Sequence, residues 1–132
     1  MKAQLNWTSE MQFVGRPENG PGILLDNPEG RSGPSPMELI LMGIAGCTAM
    51  DAISILKKKR SGFSGVKVDV TGDRADDHPK RYTDIHIDFI ITGNDVKPAD
   101  VARAIELSVT KYCSAIGSVN AKIQTSYRIV EP

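Results

Sequence analysis

The fold of this chain is decided by residues 35–59, which read SPMELILMGIAGCTAMDAISILKKK. Ser35 comes directly before a proline, and Glu38 follows three positions later. In this arrangement the Ser and Glu side chains each cap a backbone N–H group at a helix start, and proline is favoured at the first helical position. The pattern therefore predicts a helix from Pro36 to about Lys59, whose basic end complements the negative end of the helix dipole.

This predicted helix is apolar on most of its faces. Between Leu39 and Leu56 its only charged residue is Asp51. A helix that is apolar nearly all round is buried on nearly all sides, and a chain of 132 residues is too small to cover such a helix alone. The sequence therefore predicts a buried central helix that a second copy of the chain helps to cover.

The segments on either side of this helix have the patterns of strands and turns. Alternating residues and short apolar runs predict six strands, at residues 2–8, 11–15, 23–25, 66–70, 82–92 and 123–130. Pro98 begins a second helix that is expected to reach Tyr112, with Val101, Ile105, Ser108 and Tyr112 on one stripe. Residues 114–120 are expected to form a turn or a short helix. The order βββ-α-ββ-α-β predicts a single α+β domain over residues 1–132, with antiparallel strands.

Composition and charge exclude several functional classes. The chain has 16 basic and 16 acidic residues, so it lacks the basic excess of a protein that binds nucleic acid or anionic membranes. Its first residues contain no apolar signal segment, and the run Leu39–Met50 is shorter than the ~20 residues that cross a bilayer. We therefore expect a cytoplasmic protein without a nucleic-acid or membrane partner, whose two cysteines are free or catalytic.

Cys47 lies in the middle of the predicted central helix. Glycine inside a helix costs about 1 kcal/mol relative to alanine. Gly43 and Gly46 therefore indicate either close backbone packing or an opening next to the sulfur atom. Asp51 lies four positions further on, on the same helix face. A bare carboxylate disfavours a thiolate, so either a cation lies near a reactive Cys47 or Asp51 takes a partner from a neighbouring element.

Cys113 ends the second predicted helix, in the sequence KYCS. A helix C-terminus disfavours a thiolate, unless Ser114 caps a new turn whose field is reversed. A cysteine here also fits the role of a small buried hydrophobic residue. The two histidines, His78 and His86, have no metal-ligand spacing with either cysteine. We therefore expect neither a metal nor a cofactor.

In their order and spacing these motifs resemble the OsmC/Ohr family of thiol-dependent peroxidases, and the resemblance covers nearly the whole chain. It rests on the helix start SPMELI at residues 35–40 and on AGC at residues 45–47. The segment PKRYTDIH at residues 79–86 also fits, as does KYCS at residues 111–114, which places the second cysteine after the second helix.

The resemblance implies an intertwined homodimer of the OsmC-like fold, with two active sites at the interface. It implies that Cys47 is the peroxidatic cysteine, which reduces a small apolar hydroperoxide and becomes a sulfenic acid. Cys113 would then resolve this acid by forming an intrachain disulfide, which an external dithiol reductant would reduce. The implied function is defence against oxidative stress.

One position departs from the family pattern. The best-studied peroxidases of the family carry a glutamate directly after the helix-starting proline, bridged to the cysteine by an arginine from the N-terminal region. Here Met37 occupies that position and Glu38 comes next, while Arg16 and Arg31 are the only arginines before the helix. Helical residues advance by ~100° each, which places Glu38 opposite the cysteine. Glu38, Asp51 and Arg16 are candidate activating residues, and Asp51 is the favoured carboxylate.

Two other functions use the same residues. The chain fits a thiol-disulfide oxidoreductase or sensor that acts on protein or small thiols. It also fits a non-enzymatic protein that binds an apolar ligand, because a fold alone does not decide function. A reactive Cys47 favours the two thiol functions over the binding protein, and turnover with an organic hydroperoxide separates the thiol functions from each other.

Overall fold

The computed structural model describes residues 1–132 and contains two three-stranded sheets and three α-helices. The chain divides into two units, residues 1–40 and 41–132. The element order is βββ-α-ββ-α-α-β, with a short helix added before the last strand. The predicted α+β class is therefore confirmed, whereas the organisation as a single domain stays a prediction.

The N-terminal unit is built on an antiparallel sheet with the strand order β1-β2-β3. Strand β1 is Ala3–Ser9, β2 is Gln12–Pro17 and β3 is Ile23–Leu25. The predicted bounds of β1 and β2 differ from these by one or two residues, and those of β3 agree. Every residue of β1 is exposed, and the Trp7 side chain is 65% exposed, so a single chain leaves apolar surface open on this strand.

Helix α1 begins as the sequence predicts and spans Pro36–Lys58. The Ser35 N–H donates to Glu38 Oε1 over 3.0 Å, and the Glu38 N–H donates to Ser35 Oγ over 3.2 Å. These two reciprocal hydrogen bonds are the predicted capping box, which satisfies backbone groups that a helix start leaves without partners.

A single chain buries only one side of α1. The buried residues within the chain are Ile44, Ala45, Thr48, Ala52 and Leu56. On the other side Ile40, Met42 and Met50 are 40%, 53% and 73% exposed. One chain therefore covers one side of α1 and leaves an apolar side open. By length and composition alone α1 could also cross a membrane, a property that it shares with core helices of globular proteins.

The C-terminal unit contains a sheet with the strand order β4-β5-β6. Strands β4 (Phe63–Arg74) and β5 (Tyr82–Gly93) form the predicted long antiparallel hairpin. Strand β6 (Lys122–Val130) instead pairs with β5 in parallel, so the prediction of antiparallel strands was wrong for this pair. The helical connection between β5 and β6 carries the chain back along the sheet, and a strand that follows such a crossover can run parallel.

The second helix departs from the prediction at its end. Helix α2 spans Pro98–Leu107, and Ser108–Tyr112 forms a π-helical turn. The Cys113 N–H donates to the Ser108 carbonyl over 2.8 Å, a hydrogen bond that spans five residues. The wider turn moves Tyr112 out of the stripe that was predicted for the second helix, and this side chain is 51% exposed. Turns of this kind are frequent at functional sites.

Candidate functional site

The two cysteines lie together in the C-terminal unit, although they are far apart in the sequence. Both are free thiols. The sulfur atoms of Cys47 and Cys113 and a carboxylate oxygen of Asp51 lie within 4.8 Å of one another. The structure therefore brings together the two cysteines and the carboxylate that the sequence singled out. We call these three residues the thiol cluster.

Cys47 is the more accessible thiol of the cluster. It lies on α1 at the edge between the buried and the open side, and it is partly exposed. A Cβ atom placed on Gly43 or Gly46 would have no neighbour within 4 Å. Within one chain these glycines therefore fit the interpretation of an opening beside Cys47, and close backbone packing would need a second chain.

Cys113 is buried, at 6% exposure, between the π-turn and helix α3 (Ser114–Gly117). Its sulfur accepts a hydrogen bond from the Ile116 N–H over 3.4 Å, which makes Cys113 the N-cap of α3. The sequence interpretation had considered Ser114 for this cap. Burial raises the pKa of the Cys113 thiol, and its hydrogen-bond contacts with the Thr48 side chain and the Ile116 N–H oppose this shift.

Thr48 is a further polar member of the site, and the sequence interpretation did not include it. Its side chain is fully buried. The Thr48 hydroxyl donates to the Ile44 carbonyl over 2.9 Å, and Thr48 Oγ1 lies 3.2 Å from the Cys113 sulfur. A threonine in an apolar helix gives no sequence signal for this contact, since its partner lies in another element.

Asp51 takes its partner from the π-turn. The Ser108 hydroxyl donates to Asp51 Oδ2 over 2.8 Å, and Ser108 is fully buried. This confirms the interpretation in which Asp51 is held by a neighbouring element. The hydrogen bond also links α1 to the turn that ends at Cys113, so it holds the two sides of the thiol cluster together.

The thiol cluster is also the group of side chains that could hold a metal ion. Two thiolates and a carboxylate form a donor set that suits zinc. Asp51 and Cys113 already have hydrogen-bond partners in Ser108 and Thr48, so a metal would have to compete with both contacts. The absence of a metal cofactor stays a prediction.

A cavity of about 420 Å³ opens beside Asp51. It is lined by Asp51, Ser54, Ile55, Lys58, Lys59, Leu107 and Tyr112. Aliphatic and aromatic side chains form part of its wall, and two lysines lie at the end of α1. This cavity gives a small, partly apolar molecule a place to bind on the Asp51 side of the thiol cluster.

The remaining candidate residues lie in other places. Arg16 is on β2, and Glu38 is in the first turn of α1. The backbone N–H and then the hydroxyl of Ser35 lower the pKa of Glu38, so the capping box accounts for this carboxylate. His86 Nε2 lies 2.8 Å from the hydroxyl of Ser126, a contact on the sheet that involves neither cysteine.

The family model described as OsmC-like protein matches residues 28–128, a range that contains both cysteines. The chain belongs to the OsmC-like protein family. The expected family and fold are thereby confirmed, and the nearby cysteine pair is a feature of this OsmC-like chain.

Relatives and solved structures agree with this assignment. Protein YhfA of Escherichia coli strain K12 is 40% identical over an alignment of 132 positions that covers 98% of each chain. The crystal structure of a hypothetical protein from Aquifex aeolicus VF5 has 30% identity and a TM-score of 0.89, over 99% of this chain and 96% of the other. The organic hydroperoxide resistance protein OhrB of Bacillus subtilis has 12% identity and a TM-score of 0.64, over 97% of this chain and 98% of its own. The last comparison shows a shared fold.

Proposed function

We propose that this protein is a cytoplasmic thiol peroxidase that reduces organic hydroperoxides in the defence against oxidative stress. The observation that carries the proposal is the thiol cluster, in which two free cysteines of unequal exposure lie within 4.8 Å of each other and of Asp51. The partly exposed Cys47 suits the attack on a substrate that arrives from solvent. The buried Cys113 suits the role of the internal partner that reacts with oxidised Cys47.

The proposed reaction has three steps. The Cys47 thiolate attacks the terminal oxygen of a hydroperoxide, the O–O bond breaks, and the alcohol leaves after taking up a proton. The Cys113 sulfur then attacks the Cys47 sulfenic acid, so that an S–S bond forms, the S–O bond breaks, and water leaves. An external dithiol reduces this disulfide by thiol-disulfide exchange and is itself oxidised. No cofactor is needed in this cycle.

An apolar hydroperoxide is the proposed substrate because of what surrounds the cluster. The cavity beside Asp51 includes Ile55, Leu107 and Tyr112 in its wall, and the positions next to Cys47 on its open side are glycines. Burial of an alkyl group in such a place contributes about 0.8 kcal/mol per CH₂, which favours organic hydroperoxides over hydrogen peroxide.

A second copy of the chain is the proposed partner. The open side of α1 exposes Ile40, Met42 and Met50, and apolar surface of this kind marks an interaction site. The formal net charge is zero, which gives no electrostatic reason for a nucleic-acid or membrane partner. A homodimer would cover the open side and bring the remaining surface of each thiol cluster under a second chain.

The test is a steady-state peroxidase assay with cumene hydroperoxide and a dithiol reductant. We expect turnover in the wild type, loss of peroxide consumption in Cys47→Ser, and a sulfenic acid that dimedone traps in Cys113→Ser. Oxidation of Cys113 by peroxide in Cys47→Ser would mean that the two roles are reversed. Dithiol-dependent disulfide exchange without peroxide turnover would favour the oxidoreductase or sensor instead.

A further inference from the structure

We propose that Thr48 is a positioning residue for disulfide formation, with its hydroxyl first accepting a hydrogen bond from the Cys113 thiol and later donating one to the thiolate. The inference rests on the proposed function, in which Cys113 attacks oxidised Cys47. It assigns to a fully buried threonine the task of presenting the resolving sulfur in the correct protonation state at each step.

The number of protons on the Thr48 hydroxyl decides which atom donates in its contact with the resting Cys113 thiol. A threonine hydroxyl has one proton to donate and two lone pairs that accept. The Thr48 proton is used in the hydrogen bond to the Ile44 carbonyl, over 2.9 Å. In the 3.2 Å contact between Thr48 Oγ1 and the Cys113 sulfur, Thr48 is therefore the acceptor and the thiol is the donor. The resting Cys113 is thus held as a neutral thiol.

Removal of that proton, which ends in the water that leaves the Cys47 sulfenic acid, reverses the contact. Once Cys113 is a thiolate, its sulfur can only accept a hydrogen bond. Rotation of the Thr48 hydroxyl from one staggered position to the next then turns its proton towards the sulfur. The Ile44 carbonyl keeps a partner throughout, because in an α-helix it also accepts the Thr48 N–H. The switch therefore leaves no buried carbonyl without a hydrogen bond.

The surroundings of the Cys113 sulfur make this second donor important. The sulfur is buried, and it also accepts the Ile116 N–H over 3.4 Å. The titratable groups near it on α1 are Cys47 and Asp51, neither of which is a cation. Lys111, two residues before it, lies over the Tyr112 ring at 5.3 Å. Within one chain the Cys113 sulfur has hydrogen-bond contacts with Thr48 and Ile116, which can stabilise a thiolate where an ion pair does so in other proteins.

The experiment follows one turnover at a range of pH values, after mixing with one equivalent of cumene hydroperoxide. Dimedone trapping measures the Cys47 sulfenic acid, and loss of thiols measures the disulfide. Thr48→Val keeps the shape of the side chain without the hydroxyl, and Thr48→Ser keeps the hydroxyl. We expect Thr48→Val to slow disulfide formation about tenfold more than sulfenic acid formation, the loss that matches one hydrogen bond to a charged group.

The pH profile separates this role from a packing role. In Thr48→Val the disulfide step should move to higher pH, because the thiolate has lost a donor, and Thr48→Ser should restore both rate and profile. Thr48→Ala serves as a second hydroxyl-free variant if valine disturbs folding. A wild-type rate and pH profile in either hydroxyl-free variant, or a failure of Thr48→Ser to restore them, would overturn the proposal.

A separate measurement tests Thr48 without any peroxidase reaction. In a Cys47→Ser background, alkylation of Cys113 against pH gives the ionisation of that thiol directly. Replacement of Thr48 by Val or Ala should shift this ionisation to higher pH, and Thr48→Ser should not. If the wild type forms no sulfenic acid while this shift is present, the peroxidase function fails, and what stands is the control of the Cys113 thiol by the Thr48 hydroxyl.

Discussion

The Ser108 hydroxyl donates a hydrogen bond to Asp51 Oδ2 over 2.8 Å. Ser108 is fully buried in the first position of the π-turn, and Asp51 lies one helical turn after Cys47 on α1. The Ser108 carbonyl also accepts the Cys113 N–H. One serine therefore ties the carboxylate of the thiol cluster to the backbone of its buried cysteine, and the π-turn is the local geometry that allows both contacts.

The first prediction concerns the stability that this serine contributes. Ser108→Ala should lower the free energy of unfolding by about 1–2 kcal/mol, because a partly buried hydrogen bond to a charged group is lost. Ser118→Ala, at an exposed serine, is the matched control and should change stability by less than about 0.5 kcal/mol. Urea denaturation of the reduced proteins measures both. Equal effects of the two substitutions would show that the Ser108–Asp51 contact is not a stabilising one.

The second prediction concerns which carboxylate supports peroxide reduction. Asp51→Asn should lower turnover with cumene hydroperoxide about tenfold or more, because it weakens the charged hydrogen bond to Ser108 that holds the two sides of the thiol cluster together. Glu38→Gln should leave turnover within about twofold and lower stability slightly, since glutamine can still complete the capping box. Steady-state kinetics combined with urea denaturation separates the two effects.

A hundredfold fall in turnover for Glu38→Gln, with unchanged stability, would contradict this assignment. It would mean that Glu38 has taken the role of the glutamate that the resemblance places at Met37. Arg16→Lys is informative in the same assay, because lysine keeps the charge but not the planar, two-pronged donor geometry of arginine. We expect Arg16→Lys to retain most of the turnover, since its sequence position matches no family motif.

Local signals in the sequence predicted much of this architecture. The capping box of Ser35 and Glu38 fixed the start of α1 because its two hydrogen bonds join residues only three positions apart. The alternation of residues in 82–92 predicted β5 because each apolar side chain there meets the core. The direction of β6 could not be predicted in this way, since parallel and antiparallel strands have the same alternation.

The sequence predicted only those residues of the site whose side chains are chemically reactive in themselves. Cys47 and Cys113 stand out because the chain has only two cysteines. The contact of Thr48 with Cys113 joins residues 65 positions apart, and no local pattern indicates it. The Cys113 cap on α3 was missed for a related reason. Cysteine is not among the favoured N-cap residues, so the adjacent Ser114 was the better prediction.

The third prediction is a pH dependence of stability that comes from Cys113. Burial raises the pKa of this thiol in the folded protein, so the unfolded chain loses the proton first as the pH rises. The resulting stabilisation is fully present below about pH 8.5, the usual pKa of a cysteine in an unfolded chain. It is lost as the pH rises towards the higher pKa of Cys113 in the folded protein. Between about pH 8 and pH 10 the reduced wild type should therefore lose more unfolding free energy than Cys113→Ala. Parallel pH curves for the two proteins would contradict this.

The last prediction is that α1 is covered by a second copy of the chain. Met50 is 73% exposed on the open side of the helix, and a charge there would be buried in a dimer at a cost of several kcal/mol. Sedimentation velocity at micromolar concentration should show a dimer for the wild type and mainly a monomer for Met50→Glu. Gln124→Glu, which adds the same charge at an exposed polar position on β6, should leave the dimer intact. A monomeric wild type would contradict this prediction. A monomer that co-sediments with phospholipid vesicles would mean that a membrane covers α1 instead.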